Sequence, residues 1–196
     1  MTIDIGTGDG RAILGRAARE PDSLVLGIDA NAAAMVESSR RAARPARKGG
    51  MANARFILAA AEALPAVLAG RAYLVTVQFP WGSLLGGCVG LDSAIAAGVA
   101  ALVAPAGELE LLLAPSARDR LAGAPADPDE LRAVVAETFA GQGLELVVGR
   151  PASQADVAAS GSTWARRLGS NPTTDRSVVL VRFQRAGSPQ STGMAP

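Results

Sequence analysis

Alternating strand and helix signals along 196 residues predict an α/β fold, a seven-stranded, mostly parallel sheet with helices on both faces. Three observations carry this. Short apolar runs suited to buried parallel strands alternate with helical periodicity. A glycine-rich turn joins the first strand directly to the first helix. An acid, Asp29, ends the second strand, where a nucleotide-binding βαβ unit keeps its ribose carboxylate.

The elements follow in order. The first strand, residues 2–5, runs into Gly6-Thr7-Gly8-Asp9-Gly10, and a helical pattern covers 12–19. A strand at 23–28 leads through Asp29 to a helix at 32–43. Strands are expected at 55–59, 72–79 and 108–114, with a helix at 93–103 before the last. The helix at 129–140 has Asp127 or Asp129 as its start and Gly141 and Gly143 as its stop. Strands at 144–148 and 177–183 complete the sheet. Parallel neighbours require crossover connections of this kind. Residues 1–185 read as one domain, and 186–196, rich in Gly, Ser and Pro, as a disordered tail.

Composition narrows the chemistry. Half the chain, 49%, is apolar, ample for a core, and the net charge is +1. There is no histidine, which excludes His-based acid–base and metal chemistry; Cys88 stands alone, so neither an intramolecular disulfide nor a cysteine cluster is possible. No metal site is expected. No apolar run reaches the roughly 18 residues of a membrane span, and no signal peptide precedes the first strand, so a cytoplasmic protein with no membrane partner is expected. Charge is uneven, however. Between residues 38 and 61 there is no acid, but there are Arg40, Arg41, Arg44, Arg47, Lys48 and Arg55. Such a stripe can neutralise phosphates, or be a solvated helix end.

The glycine turn favours one ligand chemistry. A dinucleotide loop reads G-x-G-x-x-G and sets a pyrophosphate on the helix N-terminus. Here the glycines read G-x-G-x-G, with Asp4 ahead of them and Asp9 before the last. Negative charge there repels a pyrophosphate and suits a cationic ligand such as S-adenosylmethionine. A nicotinamide cofactor is the rival, and the plainest readings make Gly6 and Gly8 a tight turn and Asp29 a helix N-cap.

Two segments break the alternation. Phe79-Pro80-Trp81-Gly82-Ser83-Leu84-Leu85 leaves the fourth strand at the sheet's ligand-binding edge. Gly161-Ser162-Thr163-Trp164-Ala165-Arg166-Arg167-Leu168 lies between the sixth and seventh strands. The chain's two tryptophans, Trp81 and Trp164, fall one in each. They can stack on a planar ring or plug the structure's ends.

These pieces together, with Gly27-Ile28-Asp29, Lys48-Gly49-Gly50 and the run at 59–65, resemble the kanamycin–apramycin resistance methyltransferases over almost the whole chain. The resemblance implies a Rossmann-like class I S-adenosylmethionine-dependent fold and methylation of N1 of a decoding-site adenine of 16S rRNA in the 30S subunit. It also implies aminoglycoside resistance. Nothing in the sequence pattern asks for a dimer, so a monomer is expected. Asp4, Gly6 and Gly8 would line the methionine end of S-adenosylmethionine, Asp29 its ribose, and Ala61 and Glu62 its adenine. Gln78, Phe79, Pro80, Trp81, Gly82 and Ser83 would close over cofactor and target, with Ser162, Thr163 and Trp164 opposite. Trp81 and Trp164 would sandwich the flipped adenine, and Ser162 would position it. Arg166, Arg167 and Arg176, with Arg40, Arg41, Arg44, Arg47 and Lys48, would grip rRNA phosphates. The family also carries a hairpin ahead of the first strand, and its lack here suggests a start placed inside the true gene. A tRNA methyltransferase and a non-catalytic cofactor- or rRNA-binding relative are the alternatives. Adenine N1 has a ring lone pair and needs no general base, in keeping with a chain without histidine.

Overall fold

In the computed structural model, which describes residues 1–115, 121–125, 127–165 and 177–187, every expected strand forms. The elements are β1 (Thr2–Ile5), α1 (Arg11–Arg19), β2 (Val25–Asp29), α2 (Ala32–Ala42), β3 (Ala54–Leu58), β4 (Ala72–Gln78), α3 (Gly82–Cys88) and α4 (Ser93–Ala101). They continue as β5 (Val103–Leu113), α5 (Pro128–Ala140), β6 (Leu144–Pro151), α6 (Gln154–Ala159) and β7 (Val179–Arg185). One sheet holds all seven strands in the order β3-β2-β1-β4-β5-β7-β6. β1 to β5 pair in parallel, and β7 runs antiparallel between β5 and β6.

Strand alternation splits the core into layers. Leu26 and Ile28 of β2 face a cluster containing Leu84 and Leu85 of α3, Ile95 and Val99 of α4, and Leu131 and Val135 of α5. Val25, on the other face, meets Ile13, Leu14 and Ala17 of α1 and Ala42 of α2. Further along that second face, Leu112 and Leu180 pack with Phe79 and Ala165.

Two helices were absent from the sequence expectation. α3 is glycine-rich, and its apolar residues sit beside Pro80 and Trp81, so its pattern is short and masked. It is helical because Leu84, Leu85 and Cys88 bury on one face. α6 carries a signal that is readable in the sequence. Ser153 and Asp156 form a reciprocal capping box, and Arg150 reaches Asp156 at 2.6 Å. The helix expected to reach 103 ends at Ala101, and the chain enters β5 at once. Ala106 adopts φ 60° there, and the β4–β5 register slips between Ala72 and Leu74. The tail from 188 onward lies outside the described residues.

α3 meets α4 through a glycine contact. A Cβ added at Gly87 would run into the Ile95 side chain. Gly87→Ala is therefore expected to destabilise the fold by roughly 1–3 kcal/mol through overpacking. A fall in the urea midpoint with an unchanged slope checks it.

Candidate functional site

β1, β2 and β4 are parallel and adjacent, so their carboxyl ends converge on one edge. A cavity of about 210 Å³ opens there. Its walls come from four places: Asp4, Gly6, Thr7, Gly8, Asp9 and Ala12 around the first turn; Asp29 ending β2; Gln78, Phe79 and Trp81 past β4; and Ser162, Thr163 and Trp164.

The first turn is shaped by backbone geometry. Gly6 has φ +73°, and a Cβ there would stand 2.8 Å from Leu84 of α3. Gly8 has φ +59°, and nothing lies within 4 Å of where its Cβ would be. That open side leaves room for a ligand against bare backbone. Gly8 N–H donates to Asp29 Oδ2 at 2.7 Å, and Asn31 N–H donates to Oδ1 at 2.8 Å. Asp29 is thus locked to the turn, and the N-cap of α2 is Asn31. A carboxylate has about four acceptor sites, so two bonds leave capacity for hydroxyl donors.

Asp4 is 6% exposed and accepts from Thr76 Oγ1 at 2.6 Å. Burial raises its carboxyl to about 6, although the Thr76 and Thr7 hydroxyls and the Arg16 charge act the other way. Gln78 lies two residues beyond Thr76 on β4, on the same face of the sheet. Its Oε1 is buried without a hydrogen-bond partner among the described residues. Phe79, 8% exposed, adopts φ 52°, an uncommon conformation for an aromatic residue that turns the chain sharply into Pro80 and Trp81.

The two tryptophans reach the same cavity from segments far apart in the chain. Trp81 is 76% exposed and Trp164 42% exposed, so neither fills the core. Trp164 N–H donates to Ser162 Oγ at 3.1 Å, and Ser162 N–H to Ser160 Oγ at 3.2 Å. Thr163 Oγ1 donates to Asp9 Oδ2 at 2.8 Å.

The cavity brings together Asp4, Gly6, Gly8, Asp29, Gln78, Phe79, Trp81, Ser162, Thr163 and Trp164 of the residues expected from sequence. Ala61, Glu62, Pro80, Gly82 and Ser83 do not line it. Glu62 is exposed in a short 3₁₀ turn, and the Ser83 hydroxyl beside it holds its carboxyl below the usual range. Arg40 and Arg41 end α2, and Arg44, Arg47 and Lys48 follow; all are exposed, with Arg44 3.9 Å from Glu37. Arg166, Arg167 and Arg176 lie outside the described residues. Thr7 and Ala12 also line the cavity and were not expected as site residues. Asp9, expected for its charge, lines it too, whereas its bond to Thr163, 154 residues away, has no sequence signal.

The chain is similar to known proteins. Residues 1–184 match the family model NpmA, 16S rRNA (adenine(1408)-N(1))-methyltransferase. The chain is 34% identical over 189 residues to the enzyme of that name from Streptoalloteichus hindustanus, spanning 92% of this chain and 85% of that one. It superposes on the aminoglycoside resistance methyltransferase NpmB1 with TM-score 0.78 and 38% identity, over 94% and 86% of the two chains. The 16S rRNA (adenine(1408)-N(1))-methyltransferase from Catenulisporales acidiphilia, solved as a mutant with its cosubstrate SAM, gives TM-score 0.81 and 31% identity, over 96% and 86%.

Asp4 predicts a pH-dependent stability. Between the ordinary carboxylate value of 3.8 and about 6, the folded protein holds a proton that the unfolded chain has lost, so stability falls as pH rises through that window. Asp4→Asn is therefore expected to gain about 2–3 kcal/mol over the parent above pH ~6 and nothing at low pH. Urea unfolding at pH 4 and pH 7.5 measures the difference.

Proposed function

This chain belongs to the 16S rRNA (adenine(1408)-N(1))-methyltransferase family, and on that ground we propose the parts its own residues play in the reaction. It is an S-adenosylmethionine-dependent enzyme that methylates N1 of adenine 1408 of 16S rRNA, a modification that confers aminoglycoside resistance. The substrate is the 30S subunit, acted on in the cytoplasm. The working unit in this reading is a monomer.

Three features of the cavity fit S-adenosylmethionine. The open side of Gly8 admits a ligand against the backbone. Asp4, Asp9 and Asp29 make the pocket acidic, which favours a ligand bearing ammonium and sulfonium charge and disfavours a pyrophosphate. The unpartnered Gln78 Oε1 needs a donor, and a methionine ammonium offers three. Asp4 and Gln78 share a sheet face and hold that ammonium, and Asp29 takes the ribose hydroxyls. Ala61 and Glu62 border the adenine from the 3₁₀ turn outside the cavity, with Ser83 beside Glu62 and Pro80 and Gly82 closing over the donor.

When bound, S-adenosylmethionine supplies an electrophilic methyl on a sulfonium sulfur. The protein's task is alignment. Trp81 and Trp164 stack on the two faces of the target adenine, and Ser162 fixes the turn that carries Trp164. Stacking is worth about 1–3 kcal/mol per base, which offsets the few kcal/mol needed to take the adenine out of its helix. N1 attacks with its own lone pair, so no side chain accepts a proton. Orientation of this kind supplies several kcal/mol, up to about 7–11 in the best cases. Arg40, Arg41, Arg44, Arg47 and Lys48 grip phosphates, with Arg166, Arg167 and Arg176. α2 is tied to the glycine turn by Ser38 Oγ, which donates to Asp9 carbonyl at 2.5 Å, so its basic end keeps a set position relative to the cavity.

The observation that carries this reading is the meeting of both tryptophans at one acidic cavity. The experiment is methyl transfer from labelled S-adenosylmethionine to intact 30S subunits, mapped by reverse-transcription arrest at the modified adenine. Trp81→Ala and Trp164→Ala are expected to abolish transfer while retaining donor affinity, and loss of affinity in both would return the tryptophans to a packing role. Calorimetric titration is expected to show donor binding weakened at least tenfold by Asp29→Ala and about tenfold by Gln78→Leu. Transfer to tRNA with none to 30S would redirect the substrate assignment.

A further inference from the structure

We propose, resting on the stacking role given to Trp164, that Asp9 is a positioning residue for the target base, anchoring the Trp164 segment to the glycine turn through Thr163. The bond runs from Thr163 Oγ1 to Asp9 Oδ2 at 2.8 Å. Asp9 is itself held fast. Its Oδ1 accepts from Arg11 N–H at 3.1 Å, Arg11 Nε stands 3.5 Å from Oδ2, and its carbonyl takes the hydroxyl of buried Ser38. An ionised acceptor makes the Thr163 bond charge-assisted, about twice as strong as a neutral one.

The residue on the other side of Trp164 is anchored differently. Ala165 is 6% exposed and packs with Phe79, Leu112 and Leu180. Trp164 therefore stands between a polar tether and an apolar anchor. Its ring is only partly covered, so burial alone does not fix its orientation and the flanking residues must contribute. Nearby, a Cβ added at Gly161 would stand 3.7 Å from Ala12 Cα, at the start of α1, so the two segments run close together. The tether begins in the turn that also faces the donor. One side chain thus sets the distance between the donor's site and one of the two plates.

The test follows the orientation of Trp164 directly. In a Trp81→Phe background Trp164 is the sole tryptophan, and its acrylamide quenching and fluorescence anisotropy report how firmly it is held. Thr163→Val, which removes the hydroxyl at nearly constant volume, is expected to raise quenching and lower anisotropy, and Asp9→Ala to do the same. Asp9→Ala also releases Arg11, so adding Thr163→Val to it should change nothing further, the Thr163 bond being already lost. With Trp81 restored, Thr163→Val is expected to lower kcat/KM for 30S roughly tenfold, with donor affinity within about twofold of the parent. Thr163→Ser, which keeps the hydroxyl, is expected to recover both readouts. Unchanged quenching in both single variants, or effects that add in the pair, overturns the proposal. Fluorescence does not depend on methyl transfer, so failure of the parent to modify 30S subunits would count against the proposed function alone.

Discussion

β1 is hydrogen-bonded on both sides, and the cavity depends on that pairing. The ladder sets Asp4 opposite Gly27 of β2 and Thr76 of β4. It brings the end of β1, with its glycine turn, level with Asp29 and Gln78, so that one short strand delivers three chain segments to the same edge. Gly27 leaves room for this. A Cβ there would stand 2.9 Å from both Ile13 and Thr7, so β2 can lie under α1 and the turn only without a side chain. The turn is then closed by Asp29, which accepts from Gly8 N–H. Pairing, close packing and one charge-assisted hydrogen bond together produce an open backbone surface beside an acid.

The same edge stores an electrostatic cost. Asp4 is almost wholly buried, and its raised carboxyl shows that desolvation outweighs the hydroxyl donors around it. A neutral residue there would make a more stable fold. Gln78 is a second unfavourable feature, a buried acceptor without a donor among the described residues. Both lie on one face of the sheet and line the cavity. A cation with several N–H donors relieves both at once, so the two costs point to the same ligand chemistry.

The two tryptophan segments share an apolar foundation. Phe79, two residues before Trp81, and Ala165, one residue after Trp164, pack in the same small cluster with Leu112 and Leu180. β5 and β7 supply those leucines and pair antiparallel there, Leu112 opposite Leu180. The late strand β7, inserted between β5 and β6, therefore does more than widen the sheet. It provides the floor on which both tryptophan-bearing segments rest, while the Asp9–Thr163 bond ties one of them back to the first turn.

The sequence by itself determined the local events. Apolar runs place all seven strands, glycines at 6, 8 and 10 mark the turn, and Asp29 and the tryptophans stand out as residues that need a reason. These are readable because periodicity, turn chemistry and rare residue types are properties of neighbours along the chain. α3 escaped because its apolar face is short and crowded with glycine, and its helicity comes from burying Leu84 and Leu85 against the sheet. Tertiary structure alone decided that β7 inserts antiparallel between β5 and β6, that Asp4 is buried, and that Thr163 meets Asp9. Each joins or encloses groups far apart in sequence. Such contacts depend on how sheet and helices pack, and that packing leaves no periodic mark on the residues it brings together.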